Sequence, residues 1–212
     1  MSTSPTENST VDNLDTSARK RPKPGERRIQ ILQALAQMLE NPQGDRVTTS
    51  ALAAKIQVSE AALYRHFASK AQMFDGLIAF IEQSIFGLIN QIITRDENGM
   101  QQIKEIASIL LAFAEKNPGM TRVLLGDSLF QEDARLQERI NQLLERVEAS
   151  LKQSFRIMQT QQNLNWEPEE ISRRSSLIMA FVVGNWHRFA RSGFKKSPME
   201  HALPSLNIIL MV

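Results

Sequence analysis

Residues 48–74, TTSALAAKIQVSEAALYRHFASKAQMF, limit what this chain can fold into more than any other stretch of it. The first half places Leu52, Ala53 and Ile56 on one face at helical spacing. Thr48 and Thr49 stand at its amino end, where a hydroxyl can cap free backbone N–H groups and those groups can hold a phosphate oxygen. Gln57 and Val58 break the pattern. Ser59 then caps a second helix expected to run through Phe67, with Glu60 set against the positive end of its dipole. Leu63 and Phe67, four apart, point back onto Leu52, Ile56 and Val58, which leaves Ser59, Ala61, Ala62, Tyr64, Arg65 and His66 on or beside the outward face. The two alanines let a helix backbone approach base edges and meet thymine methyls, and the last three side chains can donate hydrogen bonds to phosphate. A third helix opens at once, with Ser69 and Gln72 as a capping box and Lys70 in its first turn. Two short helices, a tight turn and a capped third helix are the parts of a helix-turn-helix unit that presents one helix to the major groove of DNA. The bland alternative is a helical hairpin in an ordinary all-α core, with a hydrated basic face.

The segment VSEAALYRHFASKAQMF resembles the recognition helix and the start of the fourth helix in the TetR family of repressors. Valine, serine, leucine, tyrosine, the aromatic-polar-phenylalanine ending and the Ser-Lys pair recur there at fixed offsets. The chain departs at Gln57, where that family usually has glycine, so a slightly altered turn is expected.

The formal net charge of +2 is unevenly spread along the 212 residues. Glu7, Asp12 and Asp15 make the first 16 residues acidic. Arg19, Lys20, Arg21, Lys23, Arg27 and Arg28, against Glu26 alone, then form a basic arm just before the first helix, and beyond residue 28 the charges balance. With Pro22, Pro24 and Gly25 in it, such an arm is expected to be flexible until it tracks phosphates or enters a minor groove, Arg27 and Arg28 included; a solubilising tail is the alternative. There are no cysteines, which argues against a disulfide scaffold and thiolate metal sites. The amino terminus is not signal-like and no uninterrupted apolar run is long enough to span a bilayer, so a soluble cytoplasmic protein is expected.

The rest of the sequence reads as helix after helix. Ile31, Leu32, Leu35, Ala36 and Leu39 form one stripe in residues 25–40, which Asn41-Pro42-Gln43-Gly44 ends. A long helix from Ser69 to about residue 94 carries apolar side chains on nearly every side and links the DNA-binding unit to the remainder of the chain. Ile103, Ile106, Ala107, Leu110, Leu111 and Ala114 stripe the next helix, up to Asn117-Pro118-Gly119. After a short helix through Val123 and Leu124, another long stripe runs from Leu136 to Met158, and residues 159–165 read as a loop. Pro168, with Glu169 and Glu170 behind it, opens a helix whose residues 177–183 are apolar all round. Its surplus apolar face is expected to be a homodimer seam made by Ile178, Phe181, Val182, Gly184, Trp186 and Phe189, with core packing as the alternative. Ser197, Pro198 and Glu200 signal one more helix, which Pro204 should soon interrupt. The expected architecture is all-α with about nine helices: a flexible arm over residues 1–24, a three-helix DNA-binding unit over 25–72, and a helical dimerisation and partner-binding domain over 73–212. A two-fold protein of this kind reads palindromic double-stranded DNA through helices about one turn apart, ~34 Å.

Enzyme chemistry has no foothold in the sequence. It has no glycine-rich phosphate loop and no Gly-x-Ser-x-Gly elbow, and His66, His187 and His201 lack metal-ligand spacing, so no cofactor or metal is expected. Beyond the DNA-binding unit, IQILQALAQMLE, FDGLIAFIEQSI, FAEKNPGMTRVLLGDSL, RLQERINQLLERVEASLKQ and RFARSGFKKSP resemble a nucleoid occlusion branch of the TetR family. That resemblance implies a nucleoid-associated dimer that captures the division protein FtsZ and blocks ring assembly over the chromosome. It further implies a groove between the fourth and fifth helices for the FtsZ carboxy-terminal tail, with Phe80 as aromatic wall, Ile109 as apolar floor, and Lys116 and Asn117 at the rim. Lys116 stands where an arginine is usual and Leu88 replaces another basic residue, so an acidic tail would meet less positive charge. Phe80 and Ile109 could equally be core. The competing function is a ligand-responsive repressor with a small-molecule pocket in the C-terminal domain, and the two differ in whether the fifth, seventh and eighth helices enclose a cavity or pack tightly.

Overall fold

The computed structural model of the chain describes residues 25–41, 47–129 and 133–211. The basic residues of the arm up to Lys23, and Pro42, Gln43 and Gly44 of the first turn, lie outside them. Among the described residues there are nine α-helices and no strand: α1 (Glu26–Leu39), α2 (Thr49–Lys55), α3 (Glu60–Tyr64), α4 (Lys70–Arg95), α5 (Gly99–Lys116), α6 (Pro118–Leu124), α7 (Ala134–Gln161), α8 (Pro168–Arg191) and α9 (Ala202–Ile209), with a 3-10 turn at Asp127–Leu129.

The caps read from the sequence are in place, with informative differences. Thr48 accepts from the Ala51 N–H at 3.2 Å, Ser59 from Ala62 at 3.2 Å and Ser69 from Gln72 at 3.1 Å. Gln72 reaches one residue further back than a capping box requires and accepts from the Ala68 N–H at 2.9 Å. Gln57 stands at φ 56°, so the turn holds a glutamine in the left-handed region that glycine enters freely. The helix that Ser59 opens ends at Tyr64, well short of Phe67, and Arg65 and His66 lie in the turn after it. Pro204 does not interrupt the last helix. It sits in the first turn of α9, where a missing N–H leaves no intrahelical bond unmade. The loop expected from residue 159 is shorter, because α7 runs on to Gln161.

Packing obeys the stripes. Every member of the α5 stripe, Ile103, Ile106, Ala107, Leu110, Leu111 and Ala114, has no accessible surface at all. The corner between α4 and α5 is clamped onto α7: the Ser154 hydroxyl donates to Gln102 Oε1 at 2.8 Å, Gln102 Nε2 donates to the Asp96 carbonyl, and Gln161 accepts from the Gly99 N–H. Taken by length and composition alone, α4 would be apolar enough to cross a bilayer. Its buried side, Phe74, Ile78, Ile81, Ile85, Ile89 and Ile92, instead belongs to the common core, and Arg139 and Arg146 of α7 pair with Asp75 and Glu82 on its flank.

One short helix ties the first three helices to the rest. Gly119 of α6 approaches α1 so closely that a methyl group there would overlap the Ala36 carbonyl oxygen, and Arg122 donates to the Leu39 and Asn41 carbonyls at 3.4 and 2.9 Å, closing the end of α1. Backbone cannot swing aside as a side chain can, so Gly119→Ala is expected to destabilise the chain by about 1–3 kcal/mol in urea titrations. An unchanged midpoint would mean that α1 and α6 are not in contact. Gln57→Gly, which removes the left-handed penalty, is expected to raise stability by about 0.5–1 kcal/mol in the same measurement, and a loss would show that the turn needs the glutamine side chain.

Candidate functional site

The best-defined outward surface is built on α2 and α3. Leu63 and Phe67 are buried, at 0% and 1% exposure, and pack with Leu52, Ile56 and Val58. With that anchor made, Ala61, Tyr64 and Arg65 are exposed, Tyr64 at 45%, while Ala62 and His66 are half-buried at the edge of the same face. Ser59 and Thr48 are exposed, but their hydroxyls serve as caps. Thr49 is committed elsewhere: its hydroxyl donates to Glu60 Oε2 at 2.7 Å and braces the start of α2 against the start of α3. Lys70 is half-buried as the first residue of α4, with its ammonium 5.7 Å from the Phe74 ring.

The two arginines read as part of the basic arm are placed differently from each other. Arg28 lies 4.1 Å over the Phe67 ring and donates to the His66 carbonyl, so it holds down the carboxyl end of the recognition segment. Arg27 lines an open basin of about 410 Å³ with Gln30, Gln33, Gln37 and Lys55. The Arg28 contact is a site feature that spacing could not give, because it joins residues far apart in the chain.

A second surface runs along the seam between α4 and α5. The two helices are antiparallel across the tight corner at residues 96–98, and Arg95 pairs with Glu105 at its mouth. At the far end of the seam Phe80 shares a small niche with Met120 of α6 and with Leu32 and Ile29 of α1. Phe80 on α4 and Ile109 on α5 both border this seam, Phe80 at the end where it meets α6. Neither is fully buried: Phe80 is exposed, Ile109 is half-buried, and Leu88 is exposed two turns along α4 from Phe80. Lys116 is exposed at the end of α5. Asn117 is half-buried, and its Nδ2 donates to the Phe113 carbonyl at 2.8 Å, so its amide finishes the helix.

The third surface is on α8, and here the structure corrects the expectation. Ile178, Val182, Trp186 and Phe189 are buried in the chain's own interior, at 0%, 0%, 0% and 3% exposure, and Trp186 Nε1 donates to the Leu110 carbonyl at 3.1 Å. They cannot also form a seam with another chain. Of the expected set only Phe181 and Gly184 face outward, half-buried and exposed, and they share that face with Leu177 and Ala180. The signal was legible: Ile171, Ser175, Ile178, Val182, Trp186 and Phe189 recur at three- and four-residue steps and form the core stripe, which leaves Leu177 at 52% exposure on the other side.

Comparisons with known proteins agree with this layout. Residues 31–77 match the family described as bacterial regulatory proteins, tetR family, and residues 97–207 match a SlmA-like family described as tetracyclin repressor-like, C-terminal domain. The chain is 48% identical over 178 residues to the nucleoid occlusion factor SlmA of Marinomonas sp. (strain MWYL1), covering 84% of this chain and 90% of that one. It is 47% identical over 173 residues to the nucleoid occlusion factor SlmA of Vibrio cholerae, covering 81% and 88%. Among solved structures, the transcriptional regulator FadR of Bacillus subtilis, in complex with stearoyl-CoA, superposes with a TM-score of 0.70 at 14% identity, covering 86% of this chain and 97% of that one. AibR, in complex with isovaleryl coenzyme A and operator DNA, superposes with a TM-score of 0.67 at 14% identity, covering 86% and 97%; likeness at this level concerns the fold. These relatives are named as nucleoid occlusion factors and a transcriptional regulator. The chain belongs to the SlmA family of TetR-type helix-turn-helix regulators.

Proposed function

We propose that this chain acts in nucleoid occlusion as a homodimer that holds palindromic DNA through α3 and holds the division protein FtsZ along the α4–α5 strip. The observation that carries the DNA half is the division of labour within residues 59–67, where Leu63 and Phe67 are fully buried and Ala61, Tyr64 and Arg65 are left facing out. Small residues next to hydrogen-bond donors suit a helix that enters a major groove, with the donors falling on phosphates and the alanines against base edges. Residues 25–72 serve as the DNA-binding unit and 73–212 as the dimerisation and partner-binding domain, with α4 running through the boundary as their shared helix. The chain works on the chromosome, in the cytoplasm, as the 48% identity to a nucleoid occlusion factor supports.

The FtsZ half rests on that kinship and on two features of the structure. Facing side chains of α5, α7 and α8, including Ile106, Leu110, Val147, Leu151, Ile178 and Trp186, have no accessible surface, internal or external, so the place where a ligand-responsive repressor would hold a small molecule is filled. The strip between α4 and α5, in contrast, leaves Phe80 and Leu88 uncovered, with Lys116 at one end. A short amphipathic tail with apolar side chains and an acidic group fits that chemistry, and Leu88 makes apolar contact the larger part of it.

The DNA surface is tested by two variants. Ala61→Glu should abolish binding to a palindrome in a mobility shift while leaving thermal unfolding unchanged; undiminished binding would take α3 out of the groove. Arg65→Ala, which removes one phosphate donor, should weaken palindromic and random DNA alike and lower the salt slope by about 1. For the strip, Leu88→Glu combined with Lys116→Glu should remove co-sedimentation of DNA-bound protein with FtsZ and leave DNA affinity as it was. Equal co-sedimentation would place the partner elsewhere.

A further inference from the structure

Apolar surface continues past the end of the α4–α5 seam and onto α1. We propose that the acidic, apolar tail assigned to the seam follows it there, seating one apolar side chain between Phe80 and Ile29 and a carboxylate beyond it on the basin of Arg27 and Lys55. This rests on the FtsZ reading of the seam and gives the tail a second foothold, on a helix of the DNA-binding unit.

Ile29 is the observation that points there. The core side of α1 buries Ile31, Ala34, Leu35 and Leu39, and a second line, Ile29, Leu32 and Ala36, runs down its flank at three- and four-residue steps. Ala36, at the far end of that line, lies against Gly119 of α6. One turn earlier Leu32 is half-buried against α4, where a methyl group at Gly76 would stand 3.4 Å from Leu32 Cδ2. One turn before that, Ile29 is left 48% exposed. The same change occurs along α4: Gly76 is closed off by Leu32, whereas Phe80, one turn on, is 36% exposed. With Met120 of α6 on the third side, these residues make a shallow apolar niche that has Gln33 at its rim. Two large apolar side chains left open on one niche suit completion by an apolar group of a partner.

Continuity and charge name the occupant. Phe80 belongs to the niche and to the seam at once, so a chain that leaves the seam at its α6 end meets the niche next. Beyond the niche, Gln33 is shared with an open basin of about 410 Å³ whose charged lining groups are Arg27 and Lys55, with Gln30 and Gln37 between and no carboxylate lining it. Apolar seam, apolar niche and cationic basin thus follow one another in the order an acidic, apolar tail requires. The basin adds two cations to the one that Lys116 offers at the end of α5. A second copy of the same surface would bring this basin no carboxylate.

A fluorescein-labelled peptide of the FtsZ carboxy-terminal tail, titrated by anisotropy onto the full chain without DNA, tests the second foothold. Ile29→Ala trims an exposed side chain and should weaken the peptide roughly fivefold with thermal unfolding unchanged. Gln33→Leu makes the rim apolar and should tighten it, a gain that no folding defect produces. Lys55→Glu should weaken it at low salt and less so at high salt. Ile29→Cys, the only cysteine in the chain, should react readily with N-ethylmaleimide in the free protein and several times more slowly at saturating peptide. If the peptide binds and Leu88→Glu weakens it, yet Ile29→Ala binds as the parent does and the Ile29→Cys reaction is not slowed, the tail stops at the seam and the second foothold is wrong while the FtsZ reading stands. Slow reaction of Ile29→Cys in the free protein would show the niche already covered by the chain itself or by a second copy, and would overturn the foothold as well. A parent chain that does not bind the peptide removes both.

Discussion

A helix of five residues cannot hold itself together, and the surface we assign to DNA is carried on one. Nucleating a helix fixes several dihedral angles before propagation can stabilise it, so α3 persists only because its surroundings fix it. Ser59 caps its start, Leu63 and Phe67 root it in the core, and Glu60 is tied back to Thr49. At the far end Arg28 lies across Phe67 and takes the His66 carbonyl. The outward residues are thus few and their positions are set by groups behind them, which is what direct readout of base edges demands of a recognition element.

That small unit is fastened to the remainder of the chain at two points of different character. The long helix α4 joins it covalently and shares its core through Met73, Phe74 and Leu77. The short helix α6 joins it by contact, with Gly119 against the backbone of α1 and Arg122 on the last carbonyls of that helix. Pro118 makes α6 begin where α5 stops, so the Lys116–Asn117 end of the strip between α4 and α5 leads directly into the contact with α1.

Much of this was legible in the sequence, and the reasons for the rest are specific. Capping residues and apolar stripes are local signals, and Thr48, Ser59, Ser69 and the stripe of α5 lie where the spacing puts them. Gln57 shows the limit of a residue preference: the left-handed position is dictated by the turn, and a glutamine occupies it. Pro204 shows the same for a helix breaker, which is harmless in a first turn. Ile178, Val182, Trp186 and Phe189 lie inside rather than on an outward seam because an all-round apolar run does not say which side is already taken, and the indole of Trp186, bonded to the Leu110 carbonyl, belongs to the interior. The niche that Phe80 shares with Met120, Leu32 and Ile29 could only come from how three helices pack, which no single-helix periodicity contains.

The dependence of everything else on a paired recognition helix can be read from one distance. The chain has no native cysteine, so a nitroxide label at Ala68→Cys, an exposed position in the turn after α3, is unique to each protomer. Pulsed dipolar measurement on the protein bound to a palindromic duplex should give a single narrow distance near one DNA turn, roughly 30–45 Å with the label arms included. No dipolar interaction, or a broad distribution beyond that span, would contradict a symmetric pair of α3 helices in successive turns of the major groove.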